Sequence, residues 1–102
     1  MRPNPAVTER CLQYKEWDRS VYQEYAIPEE LHGGLDRYLK EHIRPGGYLY
    51  AVLTNDLKDA VLRWGGQESN PLKTLIYFFC AEISAPAWGS VANVEAWLKE
   101  TP

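Results

Sequence analysis

Apolar residues recur at helical spacing through the middle of the chain. In residues 28–43 one helical stripe consists of Leu31, Leu35, Tyr38, Leu39 and Ile43. Pro28 precedes two glutamates, a pattern typical of the first turn of a helix, so we predict an amphipathic helix here. Gly33 and Gly34 interrupt it at a cost of about 1 kcal/mol each relative to alanine. Their presence indicates close approach by another backbone.

A second helix is predicted over residues 45–64. Its apolar positions are Leu49, Val52, Leu53, Leu57, Ala60 and Trp64. Pro45 suits the first turn, and Gly65 with Gly66 ends the pattern. Asn55 and Asp56 fall within the stripe. We therefore expect both of them inside one continuous helix and not at its end.

The segment at residues 72–81 is apolar on nearly every side. Asn70 can cap a helix and Pro71 can open one, which together with the length favours a central helix. The Ile, Tyr and Phe content also suits a buried strand, and that alternative stays open. In the turn that follows, Trp88 is expected to close the end of a helix bundle, Gly89 to permit the turn and Ser90 to cap a last helix.

The amino-terminal part of the chain is less clearly patterned. Residues 1–8 contain two prolines and are predicted to be a flexible tail. Residues 9–27 fit a helix, with an extended link at its end, or an extended segment. We favour the helix and predict an all-α fold, a compact single domain over residues 9–102 with four or five helices. The predicted core consists of Leu35, Leu39, Leu49, Val52, Leu53, Ile76, Phe79, Trp88, Val94 and Trp97.

Composition narrows the class of protein. A net charge of −3 argues against a surface built throughout to hold a phosphate backbone. Four Trp and seven Tyr in 102 residues are more than a core of this size needs, so some are expected at a contact surface. There is no apolar run of signal-peptide or membrane-spanning length, which predicts a cytoplasmic protein. Cys11 and Cys80 lack the spacing of a zinc site or a disulfide framework.

No pattern of catalytic or metal-binding residues stands out. His32 and Asp36 share a helix face but lack a third ligand at suitable spacing. Asp56 and Asp59 could be paired carboxylates, yet Asp59 lies four residues before Arg63, and an ion pair is the simpler interpretation. Cys80 lies in the most apolar segment, where we expect an inert thiol. The sequence predicts a protein that is not an enzyme and that holds no cofactor or metal.

The segment “IPEELHGGLDRYLKEHIRPGGYLYAVLTNDLKDAV”, followed by an apolar stretch and “WGS”, resembles a family of small proteins encoded by bacteriophages and prophages. The resemblance covers roughly residues 27–99. It implies a phage context, a bacterial host cytoplasm and a compact helical fold. It implies no particular activity.

One functional hypothesis is a surface that binds a host or phage protein. Asn55 and Asp56 are poor helix formers in succession, and the short turn at residues 44–47 makes the two predicted helices neighbours. We therefore expect Arg37, Tyr38, Asn55 and Asp56 to form an exposed partner-binding patch. The competing interpretation is an internal clasp in which Arg37 or Tyr38 bonds Asp56. On the first hypothesis the protein is a non-catalytic effector, such as a counter-defence or host-takeover inhibitor.

The alternative hypothesis is an accessory protein that binds nucleic acid or a nucleotide. Arg37, Lys40 and Arg44 recur on one helix as a basic ridge, and Tyr38 and Tyr48 would need to lie beside it. Gly46 and Gly47 expose backbone N–H groups at a helix start, a setting that can hold an anion. The longer phosphate-binding signature is absent. Whether the chain self-associates is left open.

Overall fold

Six α-helices and a 3-10 turn make up the described part of the molecule. The computed structural model describes residue 14, residues 16–66 and residues 69–100. The elements are α1 (Ser20–Glu24), α2 (Glu29–Glu41), α3 (Gly47–Leu53), α4 (Leu57–Arg63), α5 (Leu72–Glu82), a 3-10 turn (Ala85–Ala87) and α6 (Val91–Lys99). These residues contain no strand, so the all-α prediction is confirmed, including the helix over residues 72–81. The predicted tail at residues 1–8 lies outside the described residues.

The helix expected within residues 9–27 is present only in pieces among the described residues: Tyr14 is helical, and a short helix spans Ser20–Glu24. Residues 16–19 form a turn in which the Asp18 carboxylate accepts the Ser20 N–H at 2.9 Å. Helix α1 then has only five residues. It ends where Ala26 takes a left-handed conformation with φ of 56°, and the Ile27 N–H bonds back to the Tyr22 carbonyl at 3.1 Å. This closing turn, a Schellman motif, stops the helix early.

Residues 45–64 form two helices, so the prediction of one continuous helix is wrong. The chain bends at residues 54–56, which we call the elbow, between α3 and α4. Asn55 has a φ of 64° there. The break and the short α1 together raise the helix number above the four or five expected.

Gly34 lies at a close approach between α2 and α3. A Cβ added to Gly34 would lie 2.9 Å from the Leu49 Cδ1 atom. The close approach predicted from the glycine pair is therefore present, but it is made by a side chain and not by a backbone. At Gly33 the nearest neighbour is the Arg37 guanidinium of the same helix, 3.3 Å from an added Cβ.

The core is more aromatic than the helical stripes predict. Eight of the ten predicted core residues are buried, while Ile76 and Trp88 are half-buried. The buried aromatic side chains include Tyr14, Tyr22, Tyr38, Tyr48, Phe78, Phe79 and Trp97. Tyr14 with Trp97 and Tyr22 with Phe78 contact edge to face, an arrangement that aromatic quadrupoles favour.

Trp97 joins α6 to the carboxyl end of α2. Its indole N–H donates to the Tyr38 carbonyl at 2.8 Å, and its own carbonyl accepts a hydrogen bond from His42 Nδ1 at 2.7 Å. The His42 ring stacks on the indole with a centroid distance of 4.4 Å. The indole N–H and the Nδ1 atom of His42 are thus both satisfied by hydrogen bonds within the core, as the N–H group of a buried Trp usually is.

The connection between α5 and α6 is fixed by hydrogen bonds to two other helices. The Tyr38 hydroxyl donates to the Ala87 carbonyl at 2.5 Å, and the Gly89 N–H donates to the Leu53 carbonyl at 2.6 Å. Gly89 has a φ of 102°, which only glycine adopts readily. The Ser90 hydroxyl accepts the Asn93 N–H, so the predicted cap is confirmed.

Among the described residues, no helix combines the length and the apolar character that crossing a bilayer requires.

Replacing Trp97 is expected to destabilise the protein more than replacing Trp88. Trp97→Ala removes a fully buried indole and should cost about 3–5 kcal/mol of unfolding free energy. Trp88 is half-buried against Phe79, so Trp88→Ala should cost about 1–3 kcal/mol. Urea unfolding of both variants measures the difference. Equal losses would show instead that Trp88 closes the bundle as firmly as Trp97 does.

Candidate functional site at the helix elbow

The elbow is a helix stop followed at once by a helix start. The Asn55 N–H bonds to the Val52 carbonyl at 3.1 Å and the Asp56 N–H to the Ala51 carbonyl at 2.8 Å. This is again a Schellman motif, with asparagine in the left-handed position that it tolerates better than most residues. The Asp56 carboxylate then accepts the Asp59 N–H at 3.2 Å as the cap of α4.

Because the chain bends at the elbow, α4 presents most of its apolar residues to solvent. The exposed fractions of Leu57, Val61 and Leu62 are 65%, 54% and 70%. Ala60 is the buried residue of this helix. A seven-residue helix that exposes three large aliphatic side chains is unusual on the surface of a small protein, and clustered exposure of this kind marks contact sites.

An open apolar groove lies between the elbow and α5. Its volume is about 140 Å³. Buried Ala51, Val52 and Ala60 contribute small side chains to it, and the larger ones come from Leu57, Leu72 and Ile76. Asn55 and Asp56 are exposed and are the only polar side chains among the described residues that line it.

Asn70 ties together the three helices around the groove. Its carboxamide oxygen accepts the Tyr48 hydroxyl at 2.5 Å and the Leu72 N–H at 3.1 Å, while its NH₂ group donates to the Ala60 carbonyl at 3.2 Å. Burial raises the pKa of Tyr48 to about 12, so its hydroxyl stays a donor at neutral pH. Pro71 and not Asn70 stands at the cap position of α5, although Asn70 does accept the first N–H of the helix. The same side chain fixes α3 and α4 relative to α5.

Apolar surface continues from the groove onto the outer face of α5. Tyr77 is 64% exposed beside the half-buried Ile76. Cys80, four residues after Ile76, lies next to it on the helix and is exposed, not enclosed in the apolar segment as predicted.

Tyr38 cannot belong to an exposed patch, so this part of the predicted partner-binding site is wrong. Its side chain is fully buried, and its hydroxyl donates to the Ala87 carbonyl. Arg37 is exposed and lies along α2 beside Gly33. The clasp alternative is wrong for Tyr38, and no ion pair joins Arg37 to Asp56 among the described residues. Asn55 and Asp56 remain exposed, next to apolar residues that the sequence did not associate with them.

The three residues of the predicted basic ridge do not share one helix, because Arg37 and Lys40 lie on α2 whereas Arg44 lies beyond its end at Glu41; Lys40 and Arg44 both have internal partners. Lys40 Nζ donates to the Trp17 carbonyl at 2.5 Å and lies 3.8 Å from Asp36. Arg44 Nη2 lies 3.0 Å from a Glu95 carboxylate oxygen. Tyr38 and Tyr48 are both buried, so neither aromatic ring lies beside the ridge as a stacking surface for bases.

The Pro-Gly-Gly helix start is partly covered. Gly46 caps α3 and is open to solvent, but the Arg63 guanidinium lies 3.0 Å from where a Cβ on Gly47 would be. Arg63 Nε also lies 3.4 Å from an Asp59 carboxylate oxygen, so the predicted ion pair is confirmed. The helix that begins at Gly47 has only seven residues, so its dipole is weak. The positive charge of the neighbouring Arg63 is already paired with Asp59, which leaves little to attract an anion to Gly46 and Gly47.

Glu95 receives two hydrogen bonds that connect α6 to the α2–α3 region. The Arg44 guanidinium and the Tyr50 hydroxyl both donate to its carboxylate, at 3.0 and 2.7 Å. These bonds, the one from Arg44 first, hold the pKa of Glu95 below its ordinary value. Arg44 also lies over the Tyr50 ring at 5.1 Å.

His32 and Asp36 of α2 are used in packing. His32 Nε2 bonds the Ile27 carbonyl at 2.9 Å, and Asp36 accepts the Tyr22 hydroxyl at 2.5 Å. In the part of the chain that is described, no three or more His, Cys, Asp or Glu side chains are grouped so that they could hold a metal ion.

No family model, curated protein or solved structure matches this chain.

One local signal in the sequence could have located the site. Asparagine favours the left-handed end of a helix, and aspartate favours the cap of the next one. The pair at Asn55 and Asp56 is therefore a stop and start signal. Once the helix is divided there, Leu57 no longer continues the apolar stripe of α3.

Substitutions at Asn55 should separate its backbone role from its side chain. Asn55→Ala places a Cβ-bearing residue without a compensating amide in the left-handed region and should cost about 1–2 kcal/mol. Asn55→Gly keeps that conformation and should change the unfolding free energy by less than about 0.5 kcal/mol. Chemical denaturation measures both. If glycine destabilises as much as alanine, the carboxamide itself holds the elbow.

The interaction of Arg44 with Glu95 should stabilise the protein at neutral pH and cease to do so in acid. The folded-state pKa of Glu95 is lowered, so the stabilisation is present above the ordinary carboxyl pKa of 4.5 and is lost as the pH falls through the lowered value. NMR titration of the Glu95 carboxyl should show a higher pKa in Arg44→Gln. An unchanged pKa in that variant would mean that the ion pair does not persist in solution.

Proposed function

We propose that the chain is a small protein-binding module that contacts its partner through the groove and the apolar residues beside it. We call this region the elbow surface; it consists of Asn55, Asp56, Leu57, Val61, Leu72, Ile76 and Tyr77. The observation that carries the proposal is the exposure of Leu57 and Val61 next to an open apolar groove. Contiguous exposed apolar surface rimmed by polar groups is typical of protein contact sites.

The energetics of burial favour a protein partner for this surface. Full burial of one Leu or Val side chain contributes about 1.5–3 kcal/mol. Leu57, Val61 and Tyr77 could each contribute on binding, and Tyr is enriched among the residues that dominate interfaces. The ties made by Asn70 hold the groove in shape before binding, which reduces the cost of ordering it.

The chemistry of the groove supports binding rather than catalysis. In the part of the chain that the structure describes, Asp56 is the one titratable side chain that lines the groove, and one oxygen of its carboxylate already caps α4. General acid and base catalysis commonly needs two groups whose surroundings separate their pKa values. A non-catalytic effector therefore remains our proposal.

The resemblance to phage and prophage proteins gives the proposal its biological context. On that basis the partner is a protein of the bacterial host or of the phage, and binding modulates its activity. A counter-defence or host-takeover inhibitor acts in this way. The elbow surface is compatible with such a role because inhibition by occlusion needs only a stable contact.

A nucleic-acid function has less support. Of the ridge residues, Lys40 and Arg44 have internal partners, and Arg37 is left as an exposed cation. Phosphate-driven binding would weaken steeply with salt, so a salt titration of DNA and RNA binding distinguishes this alternative.

Leu57→Asp should abolish capture of the partner without lowering stability. Aspartate is favourable at the first position of a helix, so α4 should still form. Val91→Asp is the matched control because Val91 is also the first residue of its helix and is 56% exposed, but it lines a neighbouring cavity, which shares Ala51 and Asp56 with the groove, and not the groove itself. Proteins retained from lysates of infected and uninfected host cells are identified for both variants, whose melting temperatures are compared.

Capture lost with Leu57→Asp and kept with Val91→Asp would support the proposed surface. An identical set of captured proteins for both variants would contradict it.

A further inference from the structure

We infer that the occupant of the groove is a partner segment that carries one large apolar side chain next to a basic residue. The apolar side chain, aromatic or branched aliphatic, enters the groove, and the basic side chain bonds Asp56. This inference rests on the proposed function and adds the chemistry of the partner.

The size of the groove limits the occupant to one anchoring side chain. Its volume is about 140 Å³. An apolar protein cavity of about 150 Å³ accepts a benzene molecule. The groove therefore holds a single side chain of the size of Leu, Ile or Phe, in the manner of an interface hot spot.

The negative charge of Asp56 at the groove favours a basic residue next to the apolar side chain of the partner. Among the described residues that line the groove, Asp56 is the only charged one. Its Oδ1 atom accepts the Asp59 N–H, and the carboxylate has further lone pairs available for a charge-assisted hydrogen bond. An acidic group of the partner would meet like charge at the same position.

Asn55 adds a second polar contact beside Asp56. Its side chain is exposed, and its backbone N–H bonds the Val52 carbonyl. A carboxamide can donate to and accept from the main chain of a bound segment. The apolar groove thus provides the affinity, and the two elbow side chains fix the position of the basic residue.

The test is selection of a displayed library of random linear peptides on the full-length chain. Peptides that bind should share an aromatic or branched aliphatic residue with Lys or Arg close to it. The strongest peptide is then synthesised, together with a version in which the basic residue is replaced by alanine. Affinities are measured for the parent protein and for Asp56→Ser, in which serine keeps the helix cap but removes the charge.

Asp56→Ser should weaken the selected peptide about tenfold, which corresponds to about 1.4 kcal/mol. Asp56→Ser should leave the affinity of the peptide with alanine unchanged, because that peptide lacks the basic residue with which Asp56 interacts. Melting temperatures confirm that each variant is folded.

Three other results would overturn the inference, and they differ in what they say about the proposed function. Peptides without basic residues that respond to Leu57→Asp but not to Asp56→Ser would keep the groove as the site and refute the charge preference. Binding that is indifferent to Leu57→Asp, or no peptide enriched at all, would refute the groove as a peptide site. Concentration-dependent sedimentation abolished by Leu57→Asp would show that a second copy of the chain is the occupant.

Discussion

The left-handed conformation of Asn55 determines which apolar residues of the α3–α4 pair reach the core. In a continuous helix, Leu57 would extend the buried stripe of Leu49 and Leu53 at helical spacing. The bend at the elbow keeps Ala60 buried and turns Leu57 toward solvent. The bend turns α4 away from the axis of α3, and the groove lies between this elbow and α5. One backbone torsion therefore connects a local sequence signal to the candidate site.

The surroundings of the elbow are held by hydrogen bonds whose partners lie far apart in the sequence. Asn70 joins α3, α4 and the start of α5, and the Gly89 N–H joins the end of α3 to the connection before α6. On the opposite side, Trp97 and His42 fasten α6 to α2. A surface supported in this way loses little freedom on binding, because its backbone is already fixed.

Helical periodicity predicts α2, α5 and α6, whose apolar stripes and terminal residues agree with each other. It fails at Asn55 because the apolar residues on both sides of the elbow keep the same period, so the stripe conceals the break. Tyr38 shows a second limit. Its position on the apolar stripe of α2 predicts burial, whereas its position next to Arg37 suggested a role in the surface patch. In the structure Tyr38 is fully buried. The groove also needs Leu72 and Ile76 of α5. No local sequence pattern predicts where α5 packs relative to α4.

The exposed residues of α4 are not required by the fold. Position 57 is the first residue of a helix, where an acidic side chain is more favourable than leucine. Position 61 holds valine, a β-branched residue with lower helix propensity than lysine or glutamate. Polar residues at positions 57, 61 and 62 would therefore form the same capped helix and would reduce the exposed apolar surface. Core packing does not account for the apolar character of Leu57 and Val61, and these are the side chains that the proposed contact with another molecule would bury.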